Sequence, residues 1–470
     1  MGAAPARLGE GMAPARVGTS QALEDSVPVS GEAASRACVE HASEFLHGCV
    51  SVDELAHGWV RPQRLYAEQR RALESCLAWY PGIYRQMATC CAGVSLELET
   101  DATELEVEVR VDAEPRATRK VLEGVSEPVA ARPAKGGRAV AFRDAAAARA
   151  HDGISAVIDG VRAGVVLSEG EGRGVAASSD EWGPSMTFSL APADSPANLL
   201  QLPGFGDTHH VRLWLPSLRG CELGRIAGNG TFLRPVPARA ERLLVLGDSV
   251  AQGFVTDDPA TSWPALVAGK LACELVNQSV GAQVFQPSAL AGLGALEPPT
   301  LVVVALGANY RYGRSSAGVV LREATEFIAT VERLWPEAGI VVLVPPQAGE
   351  RAIARGSCYE EVPALVRAAA EAVRARRVAA HHAALAIAEQ PALPSKQLSD
   401  EDGHPTAEGA SVIAGRVLEA VSQLECRCLK DLGAPGRCGA CVKSRKRRSR
   451  KGEPEDKAEL DASNATMQLI

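Results

Sequence analysis

The 470-residue chain predicts an α/β domain built on a parallel sheet, preceded by a mainly antiparallel β domain of the sandwich type. Three observations carry that prediction. Leu243–Leu246, Leu301–Leu306 and Ile340–Val344 are apolar without alternation, the pattern of strands covered on both faces. Segments with helical apolar spacing, Ser262–Leu275, Ala324–Leu334, Pro363–Ala388 and Thr406–Leu424, separate and follow them. Upstream of residue 238 the apolar residues instead alternate with polar ones, and the gaps are rich in Gly, Asp, Pro and Ser.

Taken in order, residues 1–42 read as a disordered leader of Ala, Gly, Pro and Ser. Residues 43–238 form the β domain. Within it, Val94, Leu96 and Leu98, a polar turn at Asp101–Thr103, and Leu105, Val107, Val109 and Val111 predict an antiparallel hairpin with one wet face. Ile154–Ile158, Val161–Leu167, Met186–Leu190 and Val211–Leu215 are further strands, and 113–150 reads as a loop insertion. The α/β domain takes 239–424, and 425–470 is a tail rich in cysteine and basic residues.

Composition narrows the function. Hydrophobic residues make up 46% and charged residues 23%, an ordinary folded balance, while aromatics at 4% leave the core to Ala, Val and Leu. A net charge of -8 argues against binding nucleic acid through the whole surface. No apolar run approaches the ~18 residues of a membrane span. Twelve cysteines are too sparse for a disulfide scaffold, and Met1–Ser30 lacks the apolar segment of a secretion signal, so the expectation is reduced thiols and a cytoplasmic protein.

Three segments can carry chemistry. The strand at Leu243 ends in Gly247-Asp248-Ser249, which puts a hydroxyl at the carboxyl end of a parallel strand, where α/β sheets bind ligands. The strand at Leu301 ends in Gly307-Ala308-Asn309, whose amide can donate to a developing oxyanion. Asp400-Glu401-Asp402-Gly403-His404-Pro405 sets a histidine beside carboxylates, as a general base requires. Each also has a plain structural reading: Ser249 as a helix cap, Asn309 as a turn residue, His404 as part of a loop. The pairs His209-His210, at a strand start, and His381-His382, on an Ala-rich helix, read as ordinary surface or core residues without carboxylate partners.

Together the three segments, over about 242–424, resemble the SGNH hydrolase family, also called GDSL-type esterases. Gly247-Asp248-Ser249 with Gly253, Gly307-x-Asn309, and Asp402-Gly403-His404-Pro405 with Gly409 match its blocks; Trp263-Pro264, Val276-Asn277 and Val344-Pro345-Pro346 agree with it. The resemblance implies a three-layer α/β/α, flavodoxin-like domain. It implies Ser249 as nucleophile, His404 as base, and an oxyanion hole from Asn309 and the Ser249 N–H. A further N–H falls to Ala282 or to Gly281 one residue earlier. The family's acid usually lies three residues before the histidine, which is Glu401 here; Asp402 lies two before and Asp400 four before, and the choice stays open between Glu401 and Asp402. The third-block Asn is followed by Tyr310, where many relatives have Asp. Position 251 is Ala, so the Gly-x-Ser-x-Gly elbow of α/β-hydrolases is absent. The upstream region, through Tyr80–Val94, His151-Asp152-Gly153, Ile158-Asp159-Gly160 and Leu213–Pro216, resembles the β-sandwich that precedes some SGNH carbohydrate esterases and acyltransferases.

The implied function is a serine esterase acting on a small O-acyl ester, of a carbohydrate or small metabolite, through a covalent acyl-enzyme and without a cofactor. Acyl transfer by the same intermediate, and ligand binding on a degenerate hydrolase scaffold, are the rival readings. In the tail, Cys426, Cys428, Cys438 and Cys441 could hold a structural zinc or stay free thiols. The seven basic residues between Lys443 and Lys451 read as a solvated run or a contact for nucleic acid or anionic lipid.

Overall fold

The computed structural model describes residues 36–113, 115–116, 152–166, 183–190, 208–254, 256, 258–348, 353–400 and 402–430. The leader up to residue 35, most of the 113–150 insertion, Glu401, and the tail with Cys438, Cys441 and the basic run lie outside the described residues.

The first part of the chain runs β1 (Cys38–His41), β2 (Leu46–His47), β3 (Ser51–Glu54), β4 (Val60–Gln63), α1 (Ala67–Glu74), α2 (Pro81–Met87), β5 (Ser95–Thr100), β6 (Glu104–Val111), β7 (Ile154–Ile158), β8 (Val161–Val166), β9 (Ser185–Ser189), β10 (His209–Trp214), β11 (Cys221–Gly228) and β12 (Leu233–Pro235). These strands build two antiparallel sheets. One has the order β3-β4-β11-β6-β9 with β1 on β11; the other has β12-β5-β10-β7-β8 with β2 on β5. A single apolar cluster draws Leu105, Val107, Leu223 and Phe188 from the first sheet and Leu96, Leu98, Leu213 and Ile154 from the second.

That arrangement corrects the expected hairpin. β5 and β6 do not pair with each other; β5 lies against β10 and β12, and β6 against β11 and β9. Alternation records that one face of each strand is apolar, and here the two apolar faces meet across the core. Three of the polar positions are not wet either, whereas Arg110 is exposed. Glu97, Glu106 and Glu108 are all buried, held by Arg239 and Arg212, by Arg36, and by Arg225. β1, at the end of the expected leader, pairs with β11. The histidine pairs do meet carboxylates: His209 lies 2.8 Å from Asp159, and His382 lies 2.7 Å from Glu332.

The second part runs β13 (Arg242–Gly247), α3 (Ser249–Gln252), α4 (Trp263–Leu271), β14 (Glu274–Asn277), β15 (Leu301–Ala305), α5 (Ala317–Leu334), β16 (Gly339–Val344), α6 (Val362–Ala379), β17 (Leu385–Glu389) and α7 (Ala407–Lys430). Its sheet is parallel throughout, in the order β14-β13-β15-β16-β17. Alternate residues feed two separate cores. Leu244, Leu246, Val302 and Val304 pack with Phe327 of α5 and Val366 of α6, whereas Leu243, Val245 and Val303 pack with Val267 of α4 and Ile413 of α7. The expected helix Pro363–Ala388 stops at Ala379, and Leu385–Glu389 is instead an edge strand. Ala384–Ala388 has helix-forming composition, but pairing with β16 overrides it. His381, at φ 55°, lies in the turn between the two. The last helix continues past Leu424 to Lys430. Among the described residues no helix is long and apolar enough to cross a membrane, and no group of His, Cys, Asp or Glu side chains could hold a metal.

A buried ionic cluster joins the two parts. Glu97 of β5 accepts a bidentate pair from Arg239 at 2.7 and 3.0 Å and a further contact from Arg212 at 2.5 Å. Glu274 of β14 bonds His47 at 3.0 Å. Burial by itself raises the Glu97 carboxyl, yet the two arginines hold it down to about 2. The folded value is below the ordinary 4.5, so the stability it contributes is complete above pH 4.5 and is lost as pH falls through about 2. Glu97→Gln is expected to cost about 1–3 kcal/mol, because it takes the carboxylate charge away from Arg212 and Arg239, which are partly exposed and keep some access to water. It should also flatten the acid limb of stability against pH, both read from urea midpoints across the acid range.

Candidate active site

The site lies at the carboxyl ends of β13, β14 and β15, where the chain leaves β13 toward opposite sides of the sheet. Gly247 ends β13 because nothing larger fits: a Cβ there would meet the Ala251 Cβ at 2.5 Å and the Ala305 carbonyl at 3.2 Å. Asp248 then caps the short α3, its carboxylate accepting from the Val250 N–H at 3.0 Å. Ser249, the first residue of that helix, is 8% exposed.

Ser249 Oγ lies 2.8 Å from His404 Nε2. On the other side of the ring, Nδ1 bonds the Asp400 carboxylate, whose second oxygen accepts the His404 N–H at 3.0 Å. Gly403, at φ 88°, turns the chain so that residues 400 and 404 face each other. Phe254 stacks on the imidazole with ring centroids 5.3 Å apart. Serine, histidine and aspartate thus form one buried hydrogen-bonded line. Such a line can move a proton from a hydroxyl to an imidazole while a carboxylate holds the ring.

Asp402, one of the two expected acids, does not face His404. It sits at the rim, where Tyr312 donates to it at 2.7 Å and Arg311 bonds its backbone carbonyl. The other, Glu401, is outside the described residues. The carboxylate on the ring is Asp400, four residues before the histidine.

The expected amide donors also resolve. Asn309 Nδ2 donates to the Asp248 carboxylate at 3.3 Å and to the Gln283 carbonyl at 3.1 Å. The Gly281 N–H is already engaged, donating to Gln252 Oε1 at 2.7 Å. The Ala282 N–H and the Ser249 N–H meet no acceptor among the described residues. Ala282 holds φ 65°, a left-handed conformation that favours glycine, so its Cβ is accommodated under strain of about 1 kcal/mol. Tyr310 packs in the core, its hydroxyl on the Phe285 carbonyl at 3.3 Å and Glu323 at 3.1 Å.

Several supporting side chains were given no role by the sequence, although Asn277 lies in a segment that agrees with the SGNH family. Gln252 bridges the Gly281 N–H to the Ser217 carbonyl at 2.9 Å. Asn277 bonds the Ala251 carbonyl at 2.9 Å. Arg64, 1% exposed, donates to the carbonyls of Cys90, Asn277, Ser279 and Met87 at 2.5, 2.8, 3.0 and 3.0 Å. Arg311 is buried beside His404 and Asp248. Their partners are backbone groups or residues distant in sequence, so only the tertiary structure exposes their roles.

Residues 245–412 match the model of the GDSL-like lipase/acylhydrolase family. Residues 245–412 thus carry a domain of this family. As a GDSL-type hydrolase the chain is an enzyme of the class that acts on ester bonds. Its fold is similar to that of a salicylyl-acyltransferase, SsfX3, from a tetracycline biosynthetic pathway, with TM-score 0.57 and 18% identity, covering 81% of this chain and 94% of that one. It is also similar to a candidate GDSL-like lipase from Bacteroides ovatus, with TM-score 0.54 and 14% identity, covering 82% and 97%. Among curated protein sequences none matches this GDSL-type chain.

The electrostatics of this GDSL-type site set its proton affinity. Burial by itself would lower the His404 pKa, but the adjacent Asp400 carboxylate raises it above the ordinary 6.5, with Arg311 opposing. Burial pushes the Asp248 carboxyl up to about 6. Nitrogen-detected NMR of His404 should therefore give a midpoint above 6.5. Asp400→Asn should lower that midpoint and Arg311→Met should raise it; a wild-type midpoint below 6.5 would mean that burial dominates.

Proposed function

We propose that the protein is a serine esterase that hydrolyses a small O-acyl ester of a small alcohol, carbohydrates included, with Ser249, His404 and Asp400 as its triad. The observation that carries this reading is the continuous line from Ser249 Oγ through His404 to Asp400, beside the free N–H groups of Ser249 and Ala282. Neutral His404 takes the hydroxyl proton as Ser249 Oγ attacks the ester carbonyl carbon. The two backbone N–H groups hold the oxyanion, and the Asn309 amide joins them by exchanging its long bond to Asp248 for one to the oxyanion. As the intermediate collapses, His404 gives the proton to the departing alkoxide, and the acyl group stays on Ser249. Water then attacks the acyl carbon with His404 accepting its proton, and as the acyl–Oγ bond breaks His404 gives that proton to Ser249 Oγ, releasing the carboxylic acid and restoring the hydroxyl. In this reading residues 43–238 are a β-sandwich domain and 239–424 the three-layer catalytic domain. The Gly281 N–H, bonded to Gln252, is not a donor to the oxyanion.

A second reading is acyl transfer, in which an alcohol replaces water in the second half. The likeness in fold to an acyltransferase supports it, as does the burial of Ser249 and His404.

Turnover of p-nitrophenyl acetate and labelling by a fluorophosphonate test the proposal. Ser249→Ala should abolish both. Asp400→Asn should lower kcat by about 10⁴, and Asn309→Ala by about 10²–10³, whereas Asp402→Asn should leave kcat within an order of magnitude of wild type. The reaction needs neutral His404, so kcat/KM should fall as pH drops through its raised pKa, a limb centred above 6.5. Labelling without turnover would favour acyl transfer. Neither signal from folded protein would overturn the proposal.

A further inference from the structure

A cavity of about 650 Å³ lies away from Ser249 and His404, between β7, β8 and β10 of the antiparallel domain and α4 of the parallel one. Its volume is that of a small-molecule site. Its lining is one-sided in charge: Arg162, His210, Arg212, Arg239 and Lys270 contribute to the wall, and no acidic residue does. The carboxylates that answer these cations stand behind the wall. Asp258 takes Arg162 at 2.8 Å, and Glu97 takes Arg212 at 2.5 Å and Arg239 at 2.7 Å, with Glu274 3.5 Å from Arg239. Lys270 has no ion pair among the described residues, and His210 stands 3.8 Å from a Glu97 already shared by two arginines, with Asp159 accepting its backbone N–H at 2.8 Å.

Two further features indicate what this wall would take. The Nε of Arg212, a residue of the cavity wall, is buried and has no hydrogen-bond partner among the described residues. The Arg212 guanidinium lies 4.9 Å from the Trp214 ring centroid, and Trp214 lines the cavity together with Ala265, Leu266 and Ala268. The cavity therefore pairs excess positive charge and an open N–H with an apolar, partly aromatic wall. A buried donor without a partner is costly, and a ligand acceptor would remove that cost.

We propose that this interdomain cavity binds a small organic anion, a carboxylate or phosphate head carried on an apolar or aromatic body. The head meets Lys270, His210 and the Arg212 Nε, and the body lies along Trp214 and α4. This site is independent of the esterase reading, because none of its residues touches the serine, the histidine or the amide donors.

Isothermal titration of the full chain with benzoate, phenyl phosphate and the uncharged cyclohexanol tests it. At least one anion should bind one-to-one, more weakly as ionic strength rises from about 0.05 to about 0.5 M, and cyclohexanol should not bind. Benzoate alone would assign the site to carboxylates and phenyl phosphate alone to phosphates. Lys270→Glu should weaken binding at least about tenfold, since it reverses a charge facing the head. Gly269→Glu should do the same, because a side chain at Gly269 meets nothing within 4 Å and enters open space. Both variants should keep wild-type turnover of p-nitrophenyl acetate, which reports that they fold. The proposal is overturned if neither anion saturates in the millimolar range, or if binding survives both variants unchanged, which would place the anion elsewhere, in the active-site cleft included.

Discussion

The structure turns on one buried cation. Arg64 carries its guanidinium into the interior with no carboxylate partner and distributes its N–H groups over four backbone carbonyls. Two of them, Met87 and Cys90, belong to the end of α2 and the loop after it. The other two, Asn277 and Ser279, belong to the loop that leaves β14 and reaches Ala282. Burial lowers the proton affinity of this guanidinium, yet an arginine remains charged and must find acceptors. The fold supplies them by setting α2 against the β14 loop. The same packing brings Tyr84 to the Ala282 carbonyl at 3.2 Å and Phe254 against Met87 and Val280. The backbone conformation at Ala282 is thereby determined from outside the parallel sheet.

The two domains are for this reason not a catalytic unit with an appendage. The parallel sheet supplies Ser249, Asn309 and, beyond β17, the Asp400–His404 turn. The antiparallel part supplies the contacts that hold the donor loop and, through Ser217, the amide of Gln252. Trp214 of β10 even packs among the residues of the second domain's core. A left-handed alanine and a close-packed Gly281 are tolerable only where neighbours on several sides over-determine them.

The sequence made the centre of the site legible because each of its residues ends a buried strand or precedes a helix. Ser249 and Asn309 follow apolar runs that read without ambiguity, and His404 stands before the last helix. The carboxylate was less legible. Three acids occur within 400–402, and spacing along the chain favours the nearer ones. The left-handed Gly403 instead closes a turn that presents Asp400 to the ring. The β17 edge was hidden by alanines that suit a helix until a neighbouring strand is present. Alternation in Leu96–Val111 stated which side of each strand is apolar but not which strand lies beside it. Arg64, Gln252 and the Glu97 cluster had no signal along the chain, because their meaning depends on partners as far as 215 residues away.

The separation of β5 and β6 into opposite sheets has a kinetic consequence. Neither strand can close on its sequence neighbour, so β6 finds its partners in β9 and β11, and β1 finds its partner in β11, the last pair spanning 190 residues. Closing loops of that length precedes any gain from the contacts they allow, which slows folding. During synthesis the completion of both antiparallel sheets therefore waits for β11 and β12, beyond residue 220, and Arg64 waits longer still, for carbonyls 213 and 215 residues downstream. Until then its charge must remain in water, and the segment around it cannot settle before the parallel sheet begins to form. The order of ribosomal emergence thus makes assembly of the donor loop one of the last events in folding, and partly folded chains lack the site.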